Sequence, residues 1–297
     1  MKKNIVTLSL LSLLSVKTAF SHSSGYTQVE KGKYELGLNY EMTKGDSERK
    51  ARILGNRVED PKKAYYSYYA LTNAFGLTES LTAGLNLNYA RAKFQSSEDF
   101  PSSNETLASG HDDTFNELFL TWHKELGHDF KLSVKNSILD VAYSRDNSDI
   151  SYKMYQLGLN FAHHNHNEES LYDGSYVSVS YAKGLANKTL ADHNHDMLNL
   201  SAGINLNITN TIMLGVEGGM EFEFTSASHL RKHSGHEANA FLFNQSYKPK
   251  VAKSEIGITV EKSFSKSLTG SVGFKYDIDG VETRNERGIS IGFKKTI

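Results

Sequence analysis

The 297-residue sequence contains no cysteine, so neither disulfide bonds nor cysteine-ligated metal can stabilise its fold. Its formal net charge is −1 at pH 7, which gives no argument for nucleic acid or for acidic substrates as partners. Beyond the first 21 residues no stretch reaches the roughly 20 apolar residues of a transmembrane helix. These absences exclude a disulfide scaffold and a bundle of membrane helices.

The first residues have the composition of an export signal. Two lysines follow Met1, an apolar stretch covers residues 5–16, and Ala19-Phe20-Ser21 places small residues before a cleavage site at His22. We therefore predict that residues 1–21 are a secretory signal peptide. We expect residues 22–297 to form a single domain, because no linker is evident.

What the chain does contain is alternation of apolar and polar residues with period two. In residues 81–89, Leu85 and Leu87 share one parity while Asn86 and Asn88 share the other. This is the period of a β-strand with one apolar and one polar face. About twelve segments show strand character, and we find no helical period. They are residues 33–42, 64–76, 81–94, 114–125, 130–143, 150–162, 174–183, 196–207, 211–224, 251–264, 268–278 and 287–297.

The apolar faces could point into the core of a soluble sandwich or outward into lipid. Three features favour lipid: glycine, asparagine and serine recur on the polar parity, aromatic residues lie near strand ends, and long connections alternate with short ones. The mean hydropathy of −0.47 is also low for a chain this rich in aromatic residues, as in barrels whose strands are half polar. We predict an all-β fold, a transmembrane antiparallel up-and-down β-barrel of about twelve strands. The long connections are predicted at 43–63, 95–113, 184–195 and 225–250.

Two details depart from this pattern. The connection at 145–149 is short where a long one is expected, and the connection at 163–173 is long where a short one is expected. The apolar parity also changes at Ile138-Leu139, for which a β-bulge is one explanation.

The signal peptide, amphipathic strands, tight turns and final strand RGISIGFKKTI together resemble Gram-negative outer-membrane β-barrel proteins of the porin-like group. The resemblance is architectural and covers the mature chain without selecting one family. It implies location in the cell outer membrane, contact with outer-membrane lipids and lipopolysaccharide, and insertion by the barrel assembly machinery. The chain departs from the group at its end, because the last residue is Ile297 where an aromatic residue is usual.

If the polar parity lines a lumen, its charges divide into two walls. Such walls would impose a transverse field on a water-filled lumen, which orients and selects solutes. Alternatively, these charges pair with neighbours and fill the interior, because twelve strands fall between the filled eight-stranded and the open sixteen-stranded barrels. The predicted basic wall is Lys131, Lys135 and Lys153, and the predicted acidic wall is Glu217, Glu221, Glu223 and Glu255.

The function predicted from these features is passive or substrate-biased diffusion of small hydrophilic solutes, with no catalysis, cofactor, bound metal or nucleic acid. One alternative is an outer-membrane lipid hydrolase of the lipase or lipid A deacylase type. His233-Ser234-Gly235-His236 supplies its residue types, although no G-x-S-x-G motif occurs. Another is a closed structural or adhesive barrel acting through its loops. Clustered loop histidines, such as His163, His164 and His166, leave a weak surface metal site open.

Overall fold

The computed structural model describes residues 26–53, 56–96, 111–145, 148–167, 170–185, 195–225, 250–279 and 285–297. The predicted signal peptide lies outside these residues and stays a prediction. Among the described residues, no helix is long and apolar enough to cross a membrane. The described chain forms twelve strands: β1 (Tyr34–Ile53), β2 (Asn56–Thr78), β3 (Leu81–Ser96), β4 (His111–Gly127), β5 (Phe130–Arg145), β6 (Ser148–His164), β7 (Tyr172–Leu185), β8 (His195–Thr209), β9 (Ile212–Thr225), β10 (Lys250–Ser265), β11 (Leu268–Asp279) and β12 (Asn285–Thr296).

The strands close into one antiparallel barrel. Each strand pairs with the next along the chain, and β1 pairs with β12. At the closing seam Leu38 lies opposite Phe293, and on its other side it lies opposite Leu71. Closure satisfies the backbone groups of every strand, which a strand in lipid requires because no water is available there. The predicted fold class and strand number are confirmed.

The apolar parity faces outward, as the alternation predicted. Leu118 and Leu38 are 63% and 60% exposed, whereas the inward-facing Glu117 and Thr121 are 2% and 0% exposed. An apolar surface that continues around a whole barrel far exceeds the patches of a few hundred Å² seen on soluble monomers. The barrel is therefore built to stand in a bilayer.

Aromatic side chains mark the two edges of this apolar surface. In β1, Tyr40 stands six residues beyond Tyr34, and in β2 Phe75 stands six residues beyond Tyr69. At about 3.3 Å per residue and a tilt of about 40°, six residues rise about 15 Å, which fits within the apolar band of about 25 Å in outer-membrane barrels. We call the two sets the outer girdle and the turn-side girdle. The outer girdle contains Tyr40, Tyr69, Tyr89, Tyr155, Tyr181 and Tyr276, and the turn-side girdle contains Tyr34, Phe75, Trp122, Phe130, Phe161, Phe264 and Phe293.

Two local predictions are wrong. The predicted long connection at 43–63 is mostly strand, because β1 and β2 remain paired up to Ile53 and Asn56. The predicted bulge at Ile138-Leu139 is absent, since β5 keeps an unbroken register with β4 and β6 there. The apparent change of parity arises because Leu139 is an apolar residue that faces the lumen.

Candidate functional site

The barrel encloses a cavity of about 520 Å³, and residues from all twelve strands line it. Most of the lining area is apolar, but the inward positions of most strands also place asparagine, serine, threonine and charged residues in the cavity wall. Its amide side chains include Asn39, Asn86, Asn88, Asn160, Asn199 and Asn205. The cavity is the candidate functional site.

Six carboxylates and three lysines line the cavity. The carboxylates are Glu35, Glu41, Glu117, Asp173, Glu217 and Glu261, and the lysines are Lys131, Lys135 and Lys294. All three lysines lie close to a carboxylate: Lys135 is 3.0 Å from Glu117, Lys131 is 3.1 Å from Glu125, and Lys294 is 3.9 Å from Glu35. The cavity wall therefore carries more negative than positive charge.

Lys135 is the most deeply buried member of the predicted basic wall. Its ammonium and the Glu117 carboxylate are both buried, and Asn86 donates a hydrogen bond of 2.7 Å to the second Glu117 oxygen. The Lys135 nitrogen also lies 4.9 Å from the centre of the Phe119 ring, within range of a cation–π contact. This pair neutralises the charge of Lys135 locally.

Lys153 does not lie in the lumen. It shares the outward parity of Tyr155, it is exposed, and it stands opposite Asp140 across the β5–β6 pair, while Met154 faces inward. Because side chains alternate strictly along a strand, Lys153 and Met154 cannot both face the lumen. Lys153 lies just beyond the outer girdle, where a cation is tolerated outside the hydrocarbon. The predicted basic wall reduces to Lys131 and Lys135.

Three residues predicted for the acidic wall, Glu217, Glu221 and Glu255, face the lumen. Glu217 lines the cavity and accepts a hydrogen bond of 2.5 Å from the Tyr176 hydroxyl. Glu221 and Glu255 are buried at 2% and 5% exposure, and Glu255 lies opposite Asp277 across the β10–β11 pair. The side chain of Glu223 lies outside the described part of the chain.

A buried lysine balances part of this acidic region. Lys275 on β11 forms an ion pair with Glu41 on β1, and both side chains are at most 1% exposed. Thr43 donates a hydrogen bond of 2.7 Å to the same Glu41 oxygen. Removing either ionic partner would leave an uncompensated buried charge.

Sequence reasoning missed an apolar arc on the inner face of β2 to β8. Its members are adjacent through the register, with Leu139 opposite Met154 and Ala182 opposite Met197. All of them except Met154 line the cavity, so the arc forms its apolar boundary away from the short turns. The only sequence signal is that apolar residues occupy both parities at these places. The arc consists of Tyr68, Ala90, Phe115, Leu139, Met154, Ala182 and Met197, each at most 8% exposed.

The second feature missed is the segment that precedes β1. The backbone N–H of Gly32 donates to the Gly76 carbonyl at 2.8 Å, and that of Val29 donates to the Thr82 hydroxyl at 3.2 Å. Farther in, Tyr26 lines the cavity, and burial and then the Glu117 carboxylate raise the pKa of its phenol. Residues 26–32 thus run inside the barrel from its short-turn end.

One Ser–His pair among the described residues tests the hydrolase alternative. His123 Nδ1 and Ser133 Oγ are 2.9 Å apart on neighbouring strands, but both side chains face the lumen and are at most 3% exposed. An enzyme acting on outer-leaflet lipid needs such a pair facing lipid, so this pair does not fit. The stretch His233-Ser234-Gly235-His236 lies outside the described residues.

The histidine clusters show no metal site in the described part of the chain. His163 and His164 end β6, and His166 follows it. Within the described ranges no group of three or more His, Cys, Asp or Glu side chains is arranged to hold a metal ion.

No protein-family model matches the sequence, and no curated protein matches it. Solved structures do resemble it. The translocator domain of the autotransporter NalP from Neisseria meningitidis shares 11% identity over 97% of this chain and 96% of that one, with a TM-score of 0.56. The COG4313 outer membrane channel from Pseudomonas putida F1 shares 13% identity over 92% and 98%, with a TM-score of 0.62.

The transport unit of the autotransporter AIDA-I from Escherichia coli shares 10% identity over 97% of each chain, with a TM-score of 0.50. Sequence identities this low show similarity of fold alone. They confirm the porin-like resemblance as a resemblance of architecture. The chain has the fold of outer-membrane β-barrel proteins, and its apolar outer surface and aromatic girdles suit that membrane.

Proposed function

We propose that this barrel passes small hydrophilic solutes across the outer membrane and that it prefers cations. The observation that carries the proposal is the cavity of about 520 Å³ within the closed barrel, whose wall includes asparagine, serine and charged side chains. Its volume lies within the range of about 300–1,000 Å³ typical of small-molecule pockets. A site of this size suits substrate-biased passage of one small solute rather than wide, unselective diffusion.

The preference for cations follows from how the charges pair. The three lining lysines lie close to carboxylates, whereas Glu261 and Asp173 are in no ion pair with a lysine or arginine among the described residues. A negative wall in a narrow, low-dielectric lumen concentrates cations. Because the basic wall is largely neutralised, this field replaces the stronger transverse field predicted from the sequence.

Ion selectivity in planar bilayers tests the proposal. Under a potassium chloride gradient the wild-type reversal potential should indicate cation preference, and Asp173→Asn with Glu261→Gln should move it towards zero. The amide oxygen introduced by Asp173→Asn can still accept the hydrogen bond that Asn207 donates, so folding is preserved. The matched control is Lys153→Gln, which changes a charge on the outer face. Anion preference in the wild type, or an equal shift in the control, would contradict the proposal.

A closed structural barrel is the competing function, and a specific observation favours it. Met154 and Lys275 both face the lumen and are 0% exposed, so part of the interior is filled. An absence of ion conduction in the wild type, and in a variant from which residues 26–32 are deleted to widen the lumen, would support a closed barrel. We further expect lipopolysaccharide contact, insertion by the assembly machinery and no enzymatic activity.

A further inference from the structure

We propose that residues 26–32 are an internal plug: a segment that occupies part of the lumen and moves aside to widen the path. This plug rests on the passage of solutes proposed above and adds a device that regulates it. The plug enters from the short-turn end and lies along β2, β3 and β4 before it reaches β6.

Main-chain contacts tie down only the base of the plug. Gly32 donates to the Gly76 carbonyl at 2.8 Å, and the Gly76 N–H donates to the Lys33 carbonyl at 3.1 Å. Lys31 forms an isolated parallel bridge with Gly76. This base fixes where the plug enters the barrel.

Above the base the plug is held mainly by side chains. Val29 is 3% exposed and packs in a small cluster with Ala74 and Phe119. Thr27 and Gln28 line the cavity, so this part of the plug borders open space. The Val29 N–H donates to the Thr82 hydroxyl, and Gln28 Nε2 donates to the Glu79 carbonyl at 2.5 Å. None of these contacts is a strand pairing, so the segment can leave the wall without breaking the barrel.

The barrel wall is shaped to receive the plug. An added Cβ at Gly76 would overlap the Glu30 carbonyl, and one at Gly158 would overlap the Tyr26 hydroxyl. Neither glycine has positive φ, so close approach of the plug, not backbone conformation, explains the lack of a side chain. Two strands on different sides of the lumen, β2 and β6, thus make room for the same segment.

The position of Tyr26 shows what the plug obstructs. Its ring lies 5.6 Å from the Lys135 nitrogen, and its hydroxyl lies next to Gly158. The plug therefore covers the wall that carries the Lys135–Glu117 pair. Displacing it would join the space it occupies to the cavity.

The test compares the full chain with two variants. One lacks residues 26–32, and the other, Gly158→Val, displaces the Tyr26 ring while keeping the segment. We expect single-channel conductance to rise about twofold or more in both, because the plug shares the cross-section of the path. Gly219→Ala is the control, since an added Cβ there meets the Glu255 side chain at an ordinary 3.6 Å. Heat-dependent gel migration confirms that each barrel is folded.

A disulfide that holds the plug against the barrel wall provides the reverse test. The chain has no cysteine, so Val29→Cys with Thr82→Cys introduces one disulfide between plug and wall. Conductance should stay low when the pair is oxidised and should reach or exceed the wild-type value when it is reduced. A conductance that does not depend on the disulfide would count against the plug.

A labelling readout separates failure of the plug from failure of the channel. Ser180 lines the cavity beside Gly158, so Ser180→Cys should react faster with maleimide when the plug is removed. Faster labelling without conduction in any variant supports the plug and rejects the channel. Equal labelling and equal conductance with and without residues 26–32 overturn the plug while the channel stands.

Discussion

The buried ion pair between Lys275 and Glu41 makes the sharpest prediction about stability. The Lys275 side chain is 0% exposed, and Glu255 and Asp277 face the same part of the lumen at 5% and 1% exposure. Lys275→Met keeps the length of the side chain and removes its charge. Because breaking a buried pair leaves a desolvated charge, we expect a loss of about 3–5 kcal/mol in the free energy of unfolding.

A double-mutant cycle shows whether the charge causes the loss. Glu41→Gln in the Lys275→Met background removes the stranded carboxylate and should recover part of the stability, while the amide oxygen it introduces can still accept from Thr43. Urea unfolding from lipid vesicles is followed by the fluorescence of Trp122, the only tryptophan in the sequence, which faces outward at 41% exposure. The reasoning is refuted if Lys275→Met is within about 1 kcal/mol of wild type, or if the double variant recovers nothing.

Three further predictions concern single residues. Met154→Ala should lower the free energy of unfolding by about 2–5 kcal/mol by leaving a cavity in the apolar arc, as urea titration will measure. Lys135→Met should lower stability more than Lys131→Met, because Lys135 is buried with Glu117 whereas Lys131 pairs with a carboxylate that is 66% exposed; equal losses would contradict this. Ser133→Ala should leave release of fatty acid from lipid A or phospholipid vesicles at background, as in wild type, and a wild-type activity abolished by it would establish the hydrolase.

Most of the fold was predictable because one physical rule governs each strand. All twelve strands were located, most of them from period two and β2 from its composition. Backbone pairing extends the strand ends beyond the segments in which the side chains alternate. The error at 43–63 shows this, since β1 and β2 pair beyond the alternating part. Parity also placed Glu217, Glu221 and Glu255 in the lumen. Lys153 was misplaced although Tyr155, two residues away, already indicated the outward face.

The candidate site was less predictable, because its properties depend on contacts across strands. Which lysine meets which carboxylate is set by the register, and that register brings Lys275 on β11 near Glu41 on β1 although they are far apart in sequence. The apolar arc was hidden for the same reason. Its members are single residues on separate strands that become neighbours only in the closed barrel.

The sequence by itself determined which side chains face lipid and which face inward, because a strand permits only two faces and the bilayer accepts only one of them. The tertiary structure alone decided how the interior is divided. Closure of twelve strands sets a lumen too wide for the wall residues to fill, and it brings Lys275 on β11 to Glu41 on β1, two strands away across the closing seam. The remaining space is shared between the cavity and residues 26–32, whose place no local pattern in those residues indicates.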